Sequence, residues 1–387
     1  MTDIVDVNDL IEQGNEYRNS TQPDKALECY AQAFVKDPTN PHAWNNYGNV
    51  LREMGYPARA IPFLQHACAL VPDYITAQFN LSVAYMLMGD LKRGLEQYEW
   101  RWKYEHLADT KYKFSQPEWN GEDLTGKTIL VCWEQGLGDT IQFYRFLKYL
   151  TALGAKVIFH THQGMQELFE RDPNIDRVIT DINDAGEFDY WVMTMSVPRV
   201  LGVTYETLPK EIGYIQADPN LVEQWRVALG PKTKMRIGVC WSGRKDSWIN
   251  QHKAMPVGLM IQLAQLNPDI EWVSLQADAS QEEMQLLENS NAFLRFPGHI
   301  RHWGDTAAVV ANMDMVISVD TAIAHLAGAM GKDLWIPLNA FAVDWRYLLN
   351  TGLSPWYPTA RIFRQATYGD WIPVLEGMHR FLEKVRI

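Results

Sequence analysis

Two stretches of similar sequence set the fold class of this chain: KTILVCWEQGLGDT at residues 127–140 and MRIGVCWSGRKDS at residues 235–247. Each is an apolar run that ends in Val-Cys-Trp and continues into a loop rich in glycine and polar residues. A buried strand followed by such a loop is typical of the first strand of a Rossmann-like unit. We therefore expect two such units, with ligands bound at the carboxyl ends of their strands.

From residue 127 onward, short β-branched runs alternate with helical patterns, which predicts βαβ units and parallel sheets. In the first unit the pattern predicts a helix over 139–153 and strands over 156–161, 176–180 and 188–193. In the second unit it predicts strands over 270–275, 314–318 and 333–337 and helices over 280–288, 305–312 and 321–330. Amphipathic spacing predicts a last helix over 371–386.

The N-terminal part carries an internal repeat. Small, large and proline positions recur at an interval of 34 residues: Gly14, Ala26, Tyr30, Ala33 and Pro38 return as Gly48, Ala60, Leu64, Ala67 and Pro72. This period is typical of tetratricopeptide repeats, which are stacked helix pairs. A third repeat starts near Ile75 but has Ser82 and Gly94 at the small-residue positions. An atypical last repeat is expected where a stack is capped or packs on the next domain.

These patterns predict an α + α/β chain in five parts. We expect three tetratricopeptide repeats over 7–106, the last one degenerate, and an aromatic junction over 107–126. Two Rossmann-like halves follow over 127–217 and 218–370, and a C-terminal helix occupies 371–387. The stacked repeats predict a concave face on which polar residues such as Asn45 and Asn49 are free to hold an extended peptide. The alternative is that the repeats only dimerise or brace the enzyme, which the degenerate third repeat and the aromatic junction fit as well.

Composition disfavours several functional classes. With 47% hydrophobic and 21% charged residues, the chain is typical of a soluble globular protein, and it has no apolar run long enough for a membrane span. The net charge of −12 disfavours general binding to nucleic acids or anionic membranes. The four cysteines form no CxxC pair, and the N-terminus is acidic and polar rather than a secretory signal. The cytoplasm is therefore the expected location.

The loop from Gly136 to Ile141 matches a dinucleotide-binding fingerprint only weakly. It has two of the three glycines, Gly136 and Gly138, with Ile141 in place of the third. The acidic residue expected about 20 positions later is missing, since His160 and His162 occupy that region. A dinucleotide cofactor is therefore disfavoured. A metal site is also disfavoured, because these histidines have no third ligand in the pattern.

Four phrases in combination resemble the heptosyltransferase-like superfamily of bacterial glycosyltransferases: EQGLGDTIQFYR (134–145), IGVCWSG (237–243), DTAAVVANMDMVISVDTAIAHLAGAMGK (305–332) and DWRYLL…SPWYP (344–358). The similarity covers nearly the whole chain and is greatest to the group in which tetratricopeptide repeats precede the catalytic module. O-GlcNAc transferases, which also join such repeats to this kind of module, are similar at a greater distance. The resemblance implies the GT-B architecture and an inverting transfer from a nucleotide sugar, with no metal and no cofactor.

The resemblance also implies that Asp139, in the glycine-rich loop, is the base that takes the proton of the acceptor hydroxyl. Aspartate is equally a preferred N-cap residue, so Asp139 could instead cap a helix that starts at Thr140, or serve both purposes. Gly136 and Gly138 would let the backbone approach the donor, or they are turn glycines without a further role.

Ser318, Asp320 and Thr321 lie between a predicted buried strand and a predicted helix. The N–H groups and the positive dipole end of a helix N-terminus predict a diphosphate site there. Asp320 would shape the loop by accepting backbone N–H bonds, or hold a ribose hydroxyl. His325 follows Thr321 by four residues and so shares its helix face. The alternative is a helix cap with a core histidine.

Positive charge for the diphosphate is expected after the second opening, where Ser242 and Gly243 begin the loop. The resemblance implies that Lys253 contacts phosphate, although Met255 before the next proline departs from the family pattern. The alternatives are Arg244 and Lys245, or solvated surface charges throughout.

Gln276 ends a predicted strand and is a candidate contact for the nucleotide base or the ribose. The aromatic residues Trp345, Trp356 and Tyr357 either stack on a sugar ring or fill the core.

We therefore expect a cytoplasmic, inverting, metal-independent glycosyltransferase with a nucleotide-sugar donor and a protein or peptide acceptor held by the repeats. The alternative from another class is a non-catalytic repeat scaffold whose module binds a nucleotide sugar without turnover. The presence of Asp139, Asp320 and His325 favours the enzyme. An epimerase of related fold would leave the repeats unexplained. The sequence leaves open the sugar, the nucleotide, the acceptor and the oligomeric state.

Overall fold

The computed structural model describes residues 6–104, 107, 109–245, 248–294 and 300–385. They form two compact units. The repeat unit contains the chain up to Tyr112 together with Gly202–Leu208 and Ala340–Asn350. The α/β unit contains Lys113–Leu201, Pro209–Asn339 and the chain from Thr351 onward. The domain boundaries given above stay predictions.

The repeat unit is built from three helix pairs among its described residues. They are α1 (Val7–Asn19) with α2 (Pro23–Lys36), α3 (Pro41–Glu53) with α4 (Pro57–Leu70), and α5 (Ile75–Leu87) with α6 (Leu91–Tyr98). Local sequence fixes where these helices begin. Asp6 and Asp9 form a capping box at α1, and the Asn40 side chain accepts bonds from the first N–H groups of α3. Proline occupies the first position of α2, α3 and α4, where no N–H is needed.

The small residues of the repeat occupy the places where paired helices touch. A Cβ on Gly14 would lie 2.4 Å from the Tyr30 ring, and one on Gly48 would lie 2.8 Å from Leu64. In the third repeat the glycine is Gly94, which lies on the second helix. A Cβ there would lie 2.2 Å from Met86. The degenerate repeat therefore keeps close helix packing with the glycine on the opposite partner.

The first sheet of the α/β unit is parallel, with strand order β3-β2-β1-β4. The strands are β1 (Thr128–Cys132), β2 (Lys156–His160), β3 (Arg177–Ile179) and β4 (Tyr190–Met193). Helices α7 (Leu137–Phe143) and α8 (Leu147–Ala152) connect β1 to β2, and α9 (Val197–Val200) follows β4. The junction runs beside β4, where the Trp119 N–H donates to the Trp191 carbonyl at 2.8 Å.

The second sheet is also parallel, with strand order β10-β9-β8-β5-β6-β7. Its strands are β5 (Met235–Cys240), β6 (Ile270–Ser274), β7 (Phe293–Leu294), β8 (Met315–Ser318), β9 (Asp333–Leu338) and β10 (Ala360–Arg364). The helices of this part are α10 (Pro219–Ala228), α11 (Trp248–Lys253), α12 (Val257–Gln265), α13 (Gln281–Ser290), α14 (Trp303–Ala311), α15 (Ala322–Ala329) and α16 (Ile372–Val385). Its core includes Trp241, Trp272 and Met378.

Both sheets reverse their strand order beside their first strand, between β1 and β4 and between β5 and β8. Ligands of open α/β sheets bind outside the carboxyl ends of strands at such a switch point. The loops after β1, β5 and β8 therefore lie where this fold class binds its ligands.

The expected fold class, helical repeats followed by a parallel α/β module with two sheets, is confirmed. One predicted element is wrong in detail. The helix expected over 139–153 begins at Leu137, because Gly136 serves as its N-cap, and it is divided by a 3₁₀ turn at Tyr144–Phe146. Strands β7 and β10 and helices α9 to α12 have no counterpart among the predicted elements. Among the described residues, no helix is long and apolar enough to cross a membrane.

Candidate functional site

The turn after β8 is shaped by its own hydroxyl groups. Thr321 is the N-cap of α15, and its Oγ1 accepts from the Ile323 N–H at 3.2 Å. The buried Ser318 hydroxyl lies 2.9 Å from Thr321 Oγ1. Both side chains thus order the turn, and the N-terminus of α15 remains the feature of this turn that attracts an anion.

Four side chains form a line beside this turn. Lys253 Nζ donates to Asp320 Oδ2 at 3.3 Å, and Asp320 Oδ1 lies 3.7 Å from His325 Nε2. On the other side of the imidazole, His325 Nδ1 lies 2.7 Å from the Tyr357 hydroxyl. A phenol that donates to Nδ1 leaves the proton on Nε2, facing the Asp320 carboxylate. The structure therefore brings together Lys253, Asp320 and His325, and it adds Tyr357 as the group that orients the histidine.

The loop after β1 meets this line at Gly138. A Cβ on Gly138 would lie 2.6 Å from His325 Cδ2, so only glycine permits this contact between α7 and α15. Gly138 has no positive φ, so close approach to His325, rather than turn geometry, accounts for this glycine.

Asp139 is the third residue of α7 and is half-buried. Its Oδ2 accepts from the Gly136 N–H at 2.9 Å, as in a capping box. The expected N-cap role at a helix starting at Thr140 is therefore wrong in position, because the helix begins three residues earlier than Thr140 and Gly136 occupies the N-cap. The role of Asp139 as a base stays a prediction.

His162 lies near Asp139. From the sequence, His162 is only a weak candidate for a metal ligand. Its ring lies 3.7 Å from the ring of Trp133. Burial, together with nearby His160, lowers the pKa of His162 to about 4 against the opposing charge of Asp139. The imidazole is therefore neutral near pH 7. Among the described residues, no group of three or more metal-ligating side chains is arranged to hold a metal ion.

The loop after β5 is held by two buried amides. Gln276 Oε1 accepts from the N–H groups of Trp241 at 3.1 Å and Ser242 at 3.0 Å, and its Nε2 donates to the Ser242 carbonyl. Asn250 Oδ1 accepts from the Gly243 N–H at 2.6 Å. Gln276 thus shapes the loop, which explains its position better than contact with a nucleotide base. Asn250 was missed, because nothing in the sequence marks an asparagine seven residues after Gly243 as its partner.

The two candidate lysines of this region have different partners. Lys245 Nζ lies 2.7 Å from Glu283, away from the Asp320 line. Burial alone would raise the pKa of Glu283, but hydrogen bonds from Lys245, Ser280 and Trp241 hold it at about 2. Lys253 is therefore the lysine that the structure places beside the α15 turn, and Arg244 is exposed.

The aromatic candidates for sugar stacking are core residues. Trp345, Trp356 and Tyr357 are 4%, 1% and 1% exposed, which leaves no ring face open to a sugar. Arg145 was missed by sequence reasoning. Its guanidinium donates to the Trp356 carbonyl at 2.7 Å and lies over the Tyr357 ring, so it supports the residue that orients His325.

The expectation that Asn45 and Asn49 are free on the repeats is wrong. They are 2% and 9% exposed. Asn45 Oδ1 accepts from Asn80 at 3.0 Å, and Asn49 Nδ2 donates to Glu53 at 3.2 Å. Polar residues of the first helices bond to one another here, and the sequence pattern cannot distinguish such pairs from exposed ones.

Comparisons with known proteins agree with this architecture. A family model described as tetratricopeptide repeat matches residues 41–74. Protein FlbA of Caulobacter vibrioides is 26% identical, over 92% of this chain and 70% of its own length.

Among solved structures, the ADP-heptose lps heptosyltransferase II of E. coli aligns with 67% of this chain and 100% of its own, at 14% identity and a TM-score of 0.50. A glycosyl transferase family 9 protein of Veillonella parvula covers 67% of this chain and 91% of its own, at 15% identity and a TM-score of 0.48. The chain thus combines tetratricopeptide repeats with a glycosyltransferase-like fold.

Proposed function

We propose that this protein is an inverting glycosyltransferase that moves a sugar from a nucleotide-activated donor to an acceptor hydroxyl without a metal ion or a cofactor. The single observation that carries the proposal is the line Lys253–Asp320–His325 at the N-terminus of α15, in direct contact with the Asp139 loop through Gly138. An anion site and a carboxylate are the two parts that such a transfer requires.

The donor diphosphate would bind at the α15 N-terminus, where helix N–H groups and the Lys253 ammonium supply positive potential. Asp320 holds the lysine beside the turn at 3.3 Å, and Ser318 and Thr321 keep the turn in shape. Ser242 and Gly243 border the same region, since a Cβ on Gly243 would lie 3.5 Å from Lys253 Cε. As the bond between sugar and diphosphate breaks, these groups stabilise the charge of the departing nucleoside diphosphate.

On the acceptor side, Asp139 would take the proton of the acceptor hydroxyl while the oxygen attacks the anomeric carbon from the face opposite the diphosphate. The glycosidic bond forms, the diphosphate leaves with its electron pair, and the configuration at the anomeric carbon is inverted. Polar atoms without a partner also lie just after two strands of the first sheet. The side chains of Thr161, His162 and Thr194 follow β2 and β4, and within the part of the chain that the structure describes their Oγ1 or Nε2 atoms are buried without a hydrogen-bond partner.

A protein or peptide acceptor bound by the repeats is supported by the repeat architecture, which commonly presents peptide-binding surfaces. We also propose a cytoplasmic location, which the absence of a CxxC pair favours. The scaffold alternative predicts donor binding without turnover.

The test is release of nucleoside diphosphate from a panel of nucleotide sugars, compared between the wild type and Asp139→Asn. A glycosyltransferase hydrolyses at least one donor slowly without acceptor, and the variant loses that activity while it still binds the same donor. Binding of a donor with no turnover in either protein would establish the scaffold instead.

A further inference from the structure

One face of the repeats is covered by other segments of the same chain. Residues Gly202–Leu208 and Ala340–Asn350 lie far from the repeats in sequence but belong to the repeat unit. Within that unit, the short helix Trp345–Tyr347 packs on α5. A Cβ on Gly55, just after α3, would lie 3.5 Å from Leu349. The segment 340–350 therefore covers the side of repeats 2 and 3 that α3 and α5 form.

Tyr205, in the segment 202–208, contacts both the segment 340–350 and helix α5. The Tyr205 hydroxyl lies 3.3 Å from the Trp345 carbonyl and 3.5 Å from the Met86 carbonyl, the latter at the end of α5. Burial raises the pKa of Tyr205 well above its ordinary value. Its phenol thus stays protonated, and the part-buried hydroxyl has one hydrogen to donate to either carbonyl.

Charges match across the same contact. Burial lowers the pKa of the Arg52 guanidinium, and the charges of Glu53 and Asp344 oppose that effect. Asp344 also accepts from the Arg346 N–H at 2.8 Å and pairs with its guanidinium at 3.0 Å. An acid of the segment thus lies within electrostatic range of a largely buried arginine of α3.

Burial and backbone conformation show that the segment is firmly held. Residues 80–87 of α5 are buried without interruption, as expected of a helix covered on all sides. In the segment, Ala342 and Leu348 have φ values of 54° and 45°. Side chains adopt this region at a cost that packing must offset.

We propose that the α3–α5 face is an intramolecular docking surface whose ligand is this chain's own segment 340–350, backed by 202–208. While the segment is in place, a separate acceptor peptide is excluded from this face and would have to bind another surface of the repeats. The segment begins two residues after Leu338, the end of β9, which pairs with the strand that leads into the Ser318 turn. This inference goes beyond the proposed function and does not depend on it, because it is tested by amide hydrogen exchange and not by enzyme turnover.

Amide hydrogen exchange of the full-length chain tests the docking, with Tyr205→Phe as the probe. The matched control is Tyr74→Phe, which removes a 2.8 Å contact with His42 Nδ1 elsewhere on the repeats. We expect exchange in 340–350 to become about three- to tenfold faster in Tyr205→Phe and to stay at the wild-type rate in the control, because one buried hydrogen bond is lost.

If Tyr205→Phe does not fold, Asp344→Asn replaces it, since the amide keeps the bond from the Arg346 N–H and loses the charge that faces the guanidinium groups of Arg346 and Arg52. Exchange in 340–350 that equals the wild-type rate in the folded variant, or that rises equally in Tyr74→Phe, would overturn the proposal.

Discussion

The two openings of the α/β unit share the sequence Val-Cys-Trp, but different side chains hold their loops. In the loop after β1, the carboxylate of Asp139 accepts from the Gly136 N–H. The loop after β5 is held by two buried amides, those of Gln276 beyond β6 and of Asn250 in α11. A loop shaped by one carboxylate keeps a reactive group at the site. A loop shaped by buried amides instead offers a rigid backbone. In the proposed function, this difference corresponds to chemistry at the first opening and binding at the second.

The largest expected effect concerns the acid of the first opening. Asp139→Asn should lower transfer by about 10²–10⁴-fold, because the amide can still accept from the Gly136 N–H but cannot take a proton. Steady-state rates with a donor identified from the panel measure the loss, and the free energy of unfolding checks the fold. A folded variant with nearly normal turnover would remove the chemical role from this opening.

The amide of the second opening should matter for stability rather than for chemistry. Gln276→Met should lower the free energy of unfolding by about 3 kcal/mol, because two buried N–H groups, of Trp241 and Ser242, lose their acceptor. Urea denaturation measures this. Glu134→Gln is the control in the first opening, since an amide can keep the bond from the Met195 N–H. An equal loss in both variants would erase the distinction between the loops.

Contact between the two halves is tested at the glycines of the first loop. Gly138→Ala should cost about 1–3 kcal/mol, because its Cβ would lie 2.6 Å from His325 Cδ2 and the core must move to admit it. Gly136→Ala should cost less, since its Cβ would meet only the Asp139 carboxylate, at 3.1 Å. Thermal unfolding of the pair gives the comparison, and equal midpoints would show that α7 and α15 are not in close contact.

The last expected effect is a pH dependence from His162. Its pKa of about 4 in the folded protein lies below the ordinary value of 6.5, so between these values the unfolded chain binds more protons. Stability should therefore fall as the pH drops from about 6.5 to 4. His162→Gln should lose that part of the pH dependence in urea denaturation at several pH values. A wild-type slope unchanged by the substitution would show that His162 titrates normally.

Periodic features were predictable from sequence, and long-range ones were not. The spacing of Gly14 and Gly48 predicted helix pairs because the contact of each glycine lies 16 residues away, within one repeat. The docking of 340–350 on α3 and α5 joins residues almost 300 positions apart, and no local pattern encodes it. The partners of Gln276, Trp241 and Ser242, also lie on a distant part of the chain. The sequence therefore suggests a ligand contact for Gln276 instead of its role in shaping the loop.

In the candidate site, the family resemblance pointed to Lys253, and the predicted helix N-terminus pointed to Asp320 and His325. The structure brings these three side chains together. Tyr357 and Arg145 were not assigned their places. In sequence, an aromatic or cationic residue that supports another side chain cannot be distinguished from one that fills the core or carries a surface charge. These partners become visible only when the chain is folded.

The central claim is that Lys253 and the N-terminus of α15 bind the diphosphate of a nucleotide sugar. Calorimetric binding of a nucleoside diphosphate and of the matching nucleoside, to wild type, Lys253→Ala and Lys245→Ala, tests it most directly. We expect Lys253→Ala to weaken the diphosphate at least tenfold and the nucleoside hardly at all, with Lys245→Ala close to wild type because Lys245 pairs with Glu283. Equal weakening of both ligands by Lys253→Ala, or a larger effect of Lys245→Ala, would contradict the claim.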